Sequence, residues 1–236
     1  MTKLLVFAII NNIKKGGKRV ERLILEDKYI YEYIKDILNE SRIKSEEISD
    51  SLYHHNRSYK NTPVAIRNGL LSLKDLTEKG IISVSEEQLK IFSDETSHIN
   101  GIENISLALT NLTDLYRDEE EYDPYSSYKP DILIDRSVVA RRSSYNYGNE
   151  FLATSPITND KFRSIDIRLL KLMEEYESKK DEKGIKDLIE KYNYLREIAK
   201  AIIETKLSLP LREMSKDNLT LDIEKIKNMP VLELKK

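Results

Sequence analysis

Apolar residues open the chain as a run from Leu4 to Ile10, held between Lys3 and Asn11-Asn12. The run is far short of the ~20 apolar residues a spanning helix needs, and a basic stretch with no small-residue cleavage site follows. A buried strand or a short first helix is expected there, in a soluble, unexported chain. From Val20 to Asn39, Leu23, Ile24, Ile30, Ile34, Ile37 and Leu38 recur at helical spacing, with Glu26, Asp27, Lys28 and Lys35 opposite. Ser45 followed by Glu46 and Glu47 starts a second expected helix, which runs through Ile48 and Leu52 and ends near His54 to Asn56. Thr62-Pro63 and Gly80 bracket a third, burying Ile66, Leu70, Leu73 and Leu76. Ser85-Glu86-Glu87-Gln88 is a capping box. The stripe of Leu89, Phe92, Thr96 and Ile99, resumed after Gly101 by Ile102, Ile105, Leu109, Leu112 and Tyr116, extends that helix or stacks a second on it.

The periodicity then lapses from Asp118 to about Asp160. This segment holds an acidic run, Tyr122, Tyr125, Tyr128, Tyr145 and Tyr147, the apolar runs Ile132-Leu133-Ile134 and Phe151-Leu152, and the cations Arg136, Arg141 and Arg142. Such content is too apolar for a solvated linker, and it reads as an extended or β-containing arm that packs on a neighbouring subunit. Residues 164–206 carry two stripes, Leu169 to Tyr176 and Ile185 to Ile203, separated by a polar turn at 179–184, which predicts an antiparallel helical hairpin. Pro210 ends it. The last residues alternate weakly through Leu219, Leu221, Ile223, Val231, Leu232 and Leu234, as a tail adding strands or a short helix to some surface would. The expected fold is therefore mainly α: a helical body (1–117), an arm (118–163), a hairpin (164–206) and a tail (207–236).

Composition supports that expectation and narrows the chemistry. Only 7 Gly and 6 Pro occur in 236 residues, too few for a turn-dense β sandwich. An apolar fraction of 39%, 14 Tyr included, points to a chain that finishes burying its surface against other chains. Zero Cys removes disulfides, thiolate metal sites and cysteine nucleophiles. A net charge of -2 argues against whole-surface binding of nucleic acid and leaves local patches. Glu95-Thr96-Ser97-His98 has a di-iron spacing but no second copy, and Lys15-Gly16-Gly17-Lys18 lacks the rest of a phosphate loop. No Gly-x-Ser-x-Gly elbow is present. Pro130-Asp131 ahead of an apolar run could open the metal-binding strand of a restriction-type nuclease. That fold also requires an acidic residue, a spacer and a lysine on the next strand, whereas Asp166-Ile167-Arg168 carries arginine and falls on an expected helix. No enzyme, no metal and no cofactor are expected.

With a helical body over Val20 to Arg117, an arm over Asp118 to Arg163 and a hairpin over Ser164 to Lys206, the layout resembles the head-to-tail adaptor or ring proteins of tailed bacteriophages. It differs in opening on an apolar run rather than a capped helix. The resemblance implies a structural virion protein: a homo-oligomeric, twelvefold closed ring in the tail connector, docked on the portal and on other tail or ring proteins. DNA passes through the lumen of such a ring, and no membrane is involved. Tyr122, Tyr125, Tyr128, Arg136, Arg141, Arg142, Tyr145 and Tyr147 are the candidate subunit-interface residues. The alternative is a cytosolic, helical nucleic-acid-associated module, with contact through Lys14, Lys15, Lys18 and Arg19 and through the arginines at 136–142.

Overall fold

The computed structural model describes residues 9–15, 18–43, 52–56, 58–95, 102–109, 129–142, 150–179, 182–214 and 219–235, for 9–20 and 52–56 as backbone course. The fold is mixed α/β and corrects the expected helical bundle. Its strands are β1 (Ile9–Lys15), β2 (Lys18–Leu25), β3 (Arg42–Ile43), β4 (Leu52–Asn56), β5 (Ile105–Ala108), β6 (Asp131–Asp135), β7 (Arg141–Arg142), β8 (Glu150–Ala153), β9 (Phe162–Ile167), β10 (Leu211–Glu213), β11 (Leu219–Leu221) and β12 (Val231–Leu234). Its helices are α1 (Asp27–Glu40), α2 (Thr62–Asn68), α3 (Leu73–Glu78), α4 (Glu86–Glu95), α5 (Leu169–Lys179), α6 (Glu182–Thr205) and α7 (Ile223–Lys227). Among the described residues the strands form a sheet of nine, in the order β3-β11-β10-β9-β6-β4-β5-β8-β7, and one of three, β1-β2-β12. The nine-stranded sheet draws on the expected body, arm and tail alike, and β9 crosses the boundary between arm and hairpin.

The middle of that sheet explains the correction. Strand β6 runs antiparallel to β4 on one side and to β9 on the other; β9 and β10 are parallel, and β11 returns antiparallel to β10. A parallel pair needs a long crossover, here supplied by α5 and α6. Apolar runs in the supposed arm are interior strands of the sheet: Ile132 and Ile134 on β6 have no exposed surface, and Leu152 and Ala153 are buried in β8. The described strands of the arm, β6 and β8, pack within the chain's own core, because their aliphatic side chains pair in register with neighbouring strands of the sheet; runs of four or five residues are too short to show in sequence which surface they meet. Tyr122, Tyr125, Tyr128, Tyr145 and Tyr147 lie outside the described residues.

Other elements change type for related reasons. The stripe from Val20 to Asn39 is a strand and then a helix, divided at Glu26, because Leu23 and Leu25 alternate inward on β2 while Ile30, Ile34 and Leu38 follow at helical spacing on α1. Leu52–Asn56, read as the end of a helix, is strand β4 between β6 and β5. The helix expected from Thr62 to Gly80 is broken into α2 and α3 at Gly69, whose φ of 79 is left-handed, and Leu70 bridges to Ile157 across the break. Gly80, at φ 64, does follow the end of α3 as expected. The capping box also forms: the Ser85 amide donates to Gln88 Oε1 at 3.1 Å and the Gln88 amide to Ser85 Oγ at 3.2 Å. The helix it opens is described as Glu86–Glu95, residues 96–101 lie outside the described residues, and Ile105–Ala108 is strand rather than a continuation of the helix.

The helical hairpin is present as α5 and α6. Gly184 brings them together, since a Cβ there would stand 2.6 Å from the Tyr176 ring. At about 1.5 Å per residue the 24 residues of α6 run about 36 Å, and Leu188, Tyr192, Leu195, Ile198, Ala199 and Ala201 on it have no exposed surface. Helices α1, α2, α5 and α7 and strand β12 all pack on α6, so the expected amphipathic stripe is met from within the chain. The tail adds β10 and β11 to the large sheet, α7 against α6, and β12 beside β2. No described helix is long and apolar enough to cross a membrane.

Candidate functional site

Five strands in register lay one row of residues across the large sheet. Asn56 pairs with Asp131, Asp131 with Asp166, Asp166 with Arg212 and Arg212 with Thr220. The adjacent row, Ile132, Ile165, Leu211 and Leu221, is aliphatic and buried throughout. Because successive residues of a strand face opposite sides, the sheet has one apolar face and, one residue along, a row of polar side chains on the other. Asp131, Asp166, Arg168 and Arg212 of that polar face are all buried.

Each carboxylate in the row is matched by a guanidinium. Arg168 Nη2 donates to Asp131 Oδ2 at 2.8 Å. Arg212 donates from Nε to Asp166 Oδ1 at 2.8 Å and from Nη2 to Oδ2 at 2.5 Å, a two-pronged contact, and the Ser164 hydroxyl donates to Oδ1 at 2.7 Å. Arg168 follows the last residue of β9 and Arg212 sits on β10, so the two cations reach the two acids from neighbouring strands. One residue beyond Arg212, Glu213 accepts from the Leu169 amide at 3.0 Å and the Leu170 amide at 3.2 Å, capping the start of α5. Its burial pushes its carboxyl up to about 8, against the pull of those two amides and of Arg168 and Lys171. Burial likewise pushes the Tyr59 hydroxyl well up, with Glu213 adding to the rise and Arg168 opposing it.

The nuclease-like pattern therefore stands differently from its reading in sequence. Asp166-Ile167-Arg168 lies at the end of a strand, not on a helix, and that strand pairs in register with the one that Asp131 opens. The chemistry does not follow the placement. Both carboxylates are occupied by arginines that cannot deprotonate, and among the described residues no group of three His, Asp or Glu is placed to hold a metal ion. The donor set does not fit a resident divalent cation. Arg212 and Glu213 escaped sequence reasoning altogether; the one available signal was a pair of charged residues between Leu211 and Met214, just after Pro210.

The basic candidates sit elsewhere. In hairpin β1–β2, Lys14 pairs with Arg19 and Lys15 with Lys18, two consecutive cross-strand pairs at the tip. Strand β12 pairs with β2 only from Arg22 to Leu25, so among the described residues the basic end of the hairpin is a two-stranded ribbon beyond the last β12 pairing. Arg136 is exposed in the turn after β6, and Arg141 and Arg142 are exposed on β7, the strand that ends the nine-stranded order. The Arg136, Arg141 and Arg142 cluster is thus split between a turn and a sheet edge. Of the remaining candidates, His54 and His55 fall on β4 and Glu95 ends α4, while His98, Gly16 and Gly17 lie outside the described residues. No family model, curated protein or solved structure matches the chain.

Proposed function

We propose that the chain binds duplex DNA through the basic tip of hairpin β1–β2, without cleaving it. The observation that carries this reading is the register: Lys14, Arg19, Lys15 and Lys18 form two adjacent cross-strand pairs on a ribbon beyond the last β12 pairing. A two-stranded ribbon fits the major groove, and closely spaced cations neutralise phosphates and release counterions. The protein as a whole carries a net charge of -2, so attraction is confined to the tip and the acidic remainder orients the encounter. The protein is a mixed α/β one, not the helical module the sequence suggested. Each acid of the charged row is paired with an arginine, Asp131 with Arg168 and Asp166 with Arg212.

Fluorescence anisotropy with a short labelled duplex, titrated over a salt series, tests the reading. Four phosphate contacts give a slope of log affinity on log salt of up to about −3.6. A variant carrying K14E, K15E, K18E and R19E should lose most of the affinity and flatten the slope, with an unchanged circular dichroism spectrum. Equal affinity in the two proteins would remove the hairpin from the interface.

A second reading is supported by the far edge of the large sheet. Strand β7 exposes Arg141 and Arg142, Arg136 is exposed nearby in sequence, and Val139 between them is 91% exposed. Among the described residues β7 is the last strand on this side, and an edge strand carrying cations suits pairing with an acidic strand of another copy. On this reading the chain is a connector-ring subunit of a tailed phage, meeting itself and the portal, and DNA passes through the lumen.

A further inference from the structure

Helices α2, α3 and α4 and strands β5 and β8 line a cavity of about 340 Å3, at the small end of the range of about 300–1,000 Å3 that suits an organic ligand. Its wall is mostly apolar, with Val64 from α2, Leu76 from α3, Phe92 from α4 and Leu152 from β8. Phe92 lines the cavity and is also 37% exposed, so α4 stands at its mouth. Among the described residues, the polar members of the wall are Asn61, Asn104 and Ser106, none of which carries a charge.

The charge sits one step behind that wall. The Ser106 hydroxyl donates to Glu150 Oε1 at 2.6 Å. Ser106 pairs with Leu152 and Ala108 with Glu150, which sets Ser106, Leu152 and Glu150 on one face of the β5–β8 ladder, and the first two of these line the cavity. Glu150 Oε2 is buried and accepts no hydrogen bond. Arg141, opposite Leu152 on β7, is exposed and forms no ion pair with Glu150. A buried carboxylate oxygen without a donor is costly, and a ligand that brings an N–H to it recovers that cost.

We propose that this cavity binds a small organic cation, an ammonium group on a compact apolar body, with the body against Leu76, Phe92 and Leu152 and the ammonium drawn to the Ser106–Glu150 pair. An anion of the same shape would meet Glu150 with no cation of the wall to offset it, and a neutral one would forgo the charge pairing. The cavity shares no residue with hairpin β1–β2, so the proposal stands or falls apart from DNA binding.

Ligand-observed NMR titration of the full chain at neutral pH is the test, with 2-phenylethylammonium, 2-phenylethanol and 3-phenylpropionate as probes of similar shape and different charge. The ammonium should bind saturably and at least about tenfold more tightly than the alcohol, with the carboxylate weakest. E150Q should weaken the ammonium at least about tenfold and leave the alcohol unchanged. V64F, which fills the cavity from α2, should abolish binding of the ammonium and so assign it to this site. The proposal is overturned by an ammonium that does not saturate, by equal affinities for ammonium and alcohol, or by a folded E150Q that binds the ammonium as the wild type does. Should E150Q fail to fold, the wild-type ranking of the three probes together with V64F still decides the matter.

Discussion

Glu213 is fully buried on β10, with both oxygens turned to the first amides of α5. Its carboxyl is raised to about 8, whereas in the unfolded chain it returns to the ordinary value of 4.5. The folded state therefore keeps a proton that the unfolded state has already lost across this interval. Stability that this group contributes is fully present below 4.5 and is lost as pH rises through about 8, at a slope approaching about 1.4 kcal/mol per pH unit. Denaturant melts at stepped pH should show that decline, and E213Q should flatten it. A profile equally steep in E213Q would mean another group titrates. The same paragraph of chain shows what single residues reveal in sequence: charged Arg212 and Glu213 inside an apolar stretch are visible, but which acid meets which cation depends on strand register.

Elements in this protein are set by their ends more clearly than by their interiors. Ser85 with Gln88, and Gly80 after α3, act where sequence reasoning places them, because a cap involves residues within one turn. Gly69 is the counterexample. Its φ of 79 and the Ile157 carbonyl oxygen, which a Cβ would approach to 2.3 Å, split one expected helix into α2 and α3. The Leu70 and Ile157 amides donate to each other's carbonyls at 2.8 and 2.9 Å, which ties the break to the segment before β9. G69A should cost about 2 kcal/mol or more, combining left-handed strain with a clash against backbone. Chemical denaturation measures it, and a loss under ~0.5 kcal/mol, typical of a neutral surface change, would show that the break is not required. Strands β4 and β5 read as helix in the sequence because runs of four or five residues carry too little period to separate strand from helix.

At the scale of the molecule, α6 and the large sheet gather segments that are distant in the chain: β4 from the first quarter, β6 and β9 from the middle, and β10 and β11 from near the end. The connector-ring reading is decided at this scale too. Native mass spectrometry over a concentration series should show a discrete oligomer, and R141E with R142E should weaken it at least about tenfold while DNA affinity persists. A monomer at every concentration removes that reading. What the sequence determines by itself is local: the absence of cysteine chemistry, the helix caps, the paired helices α5 and α6 with their apolar stripes, and the basic stretch at the hairpin. These follow from composition and from contacts within a turn or two. The sheet, the burial of β6 and β8 from the supposed arm and the meeting of Asp131, Arg168, Asp166 and Arg212 are decided only in three dimensions. The ion pairs join residues separated by 37 and 46 positions, and strand register, which no local pattern encodes, places those four charges together.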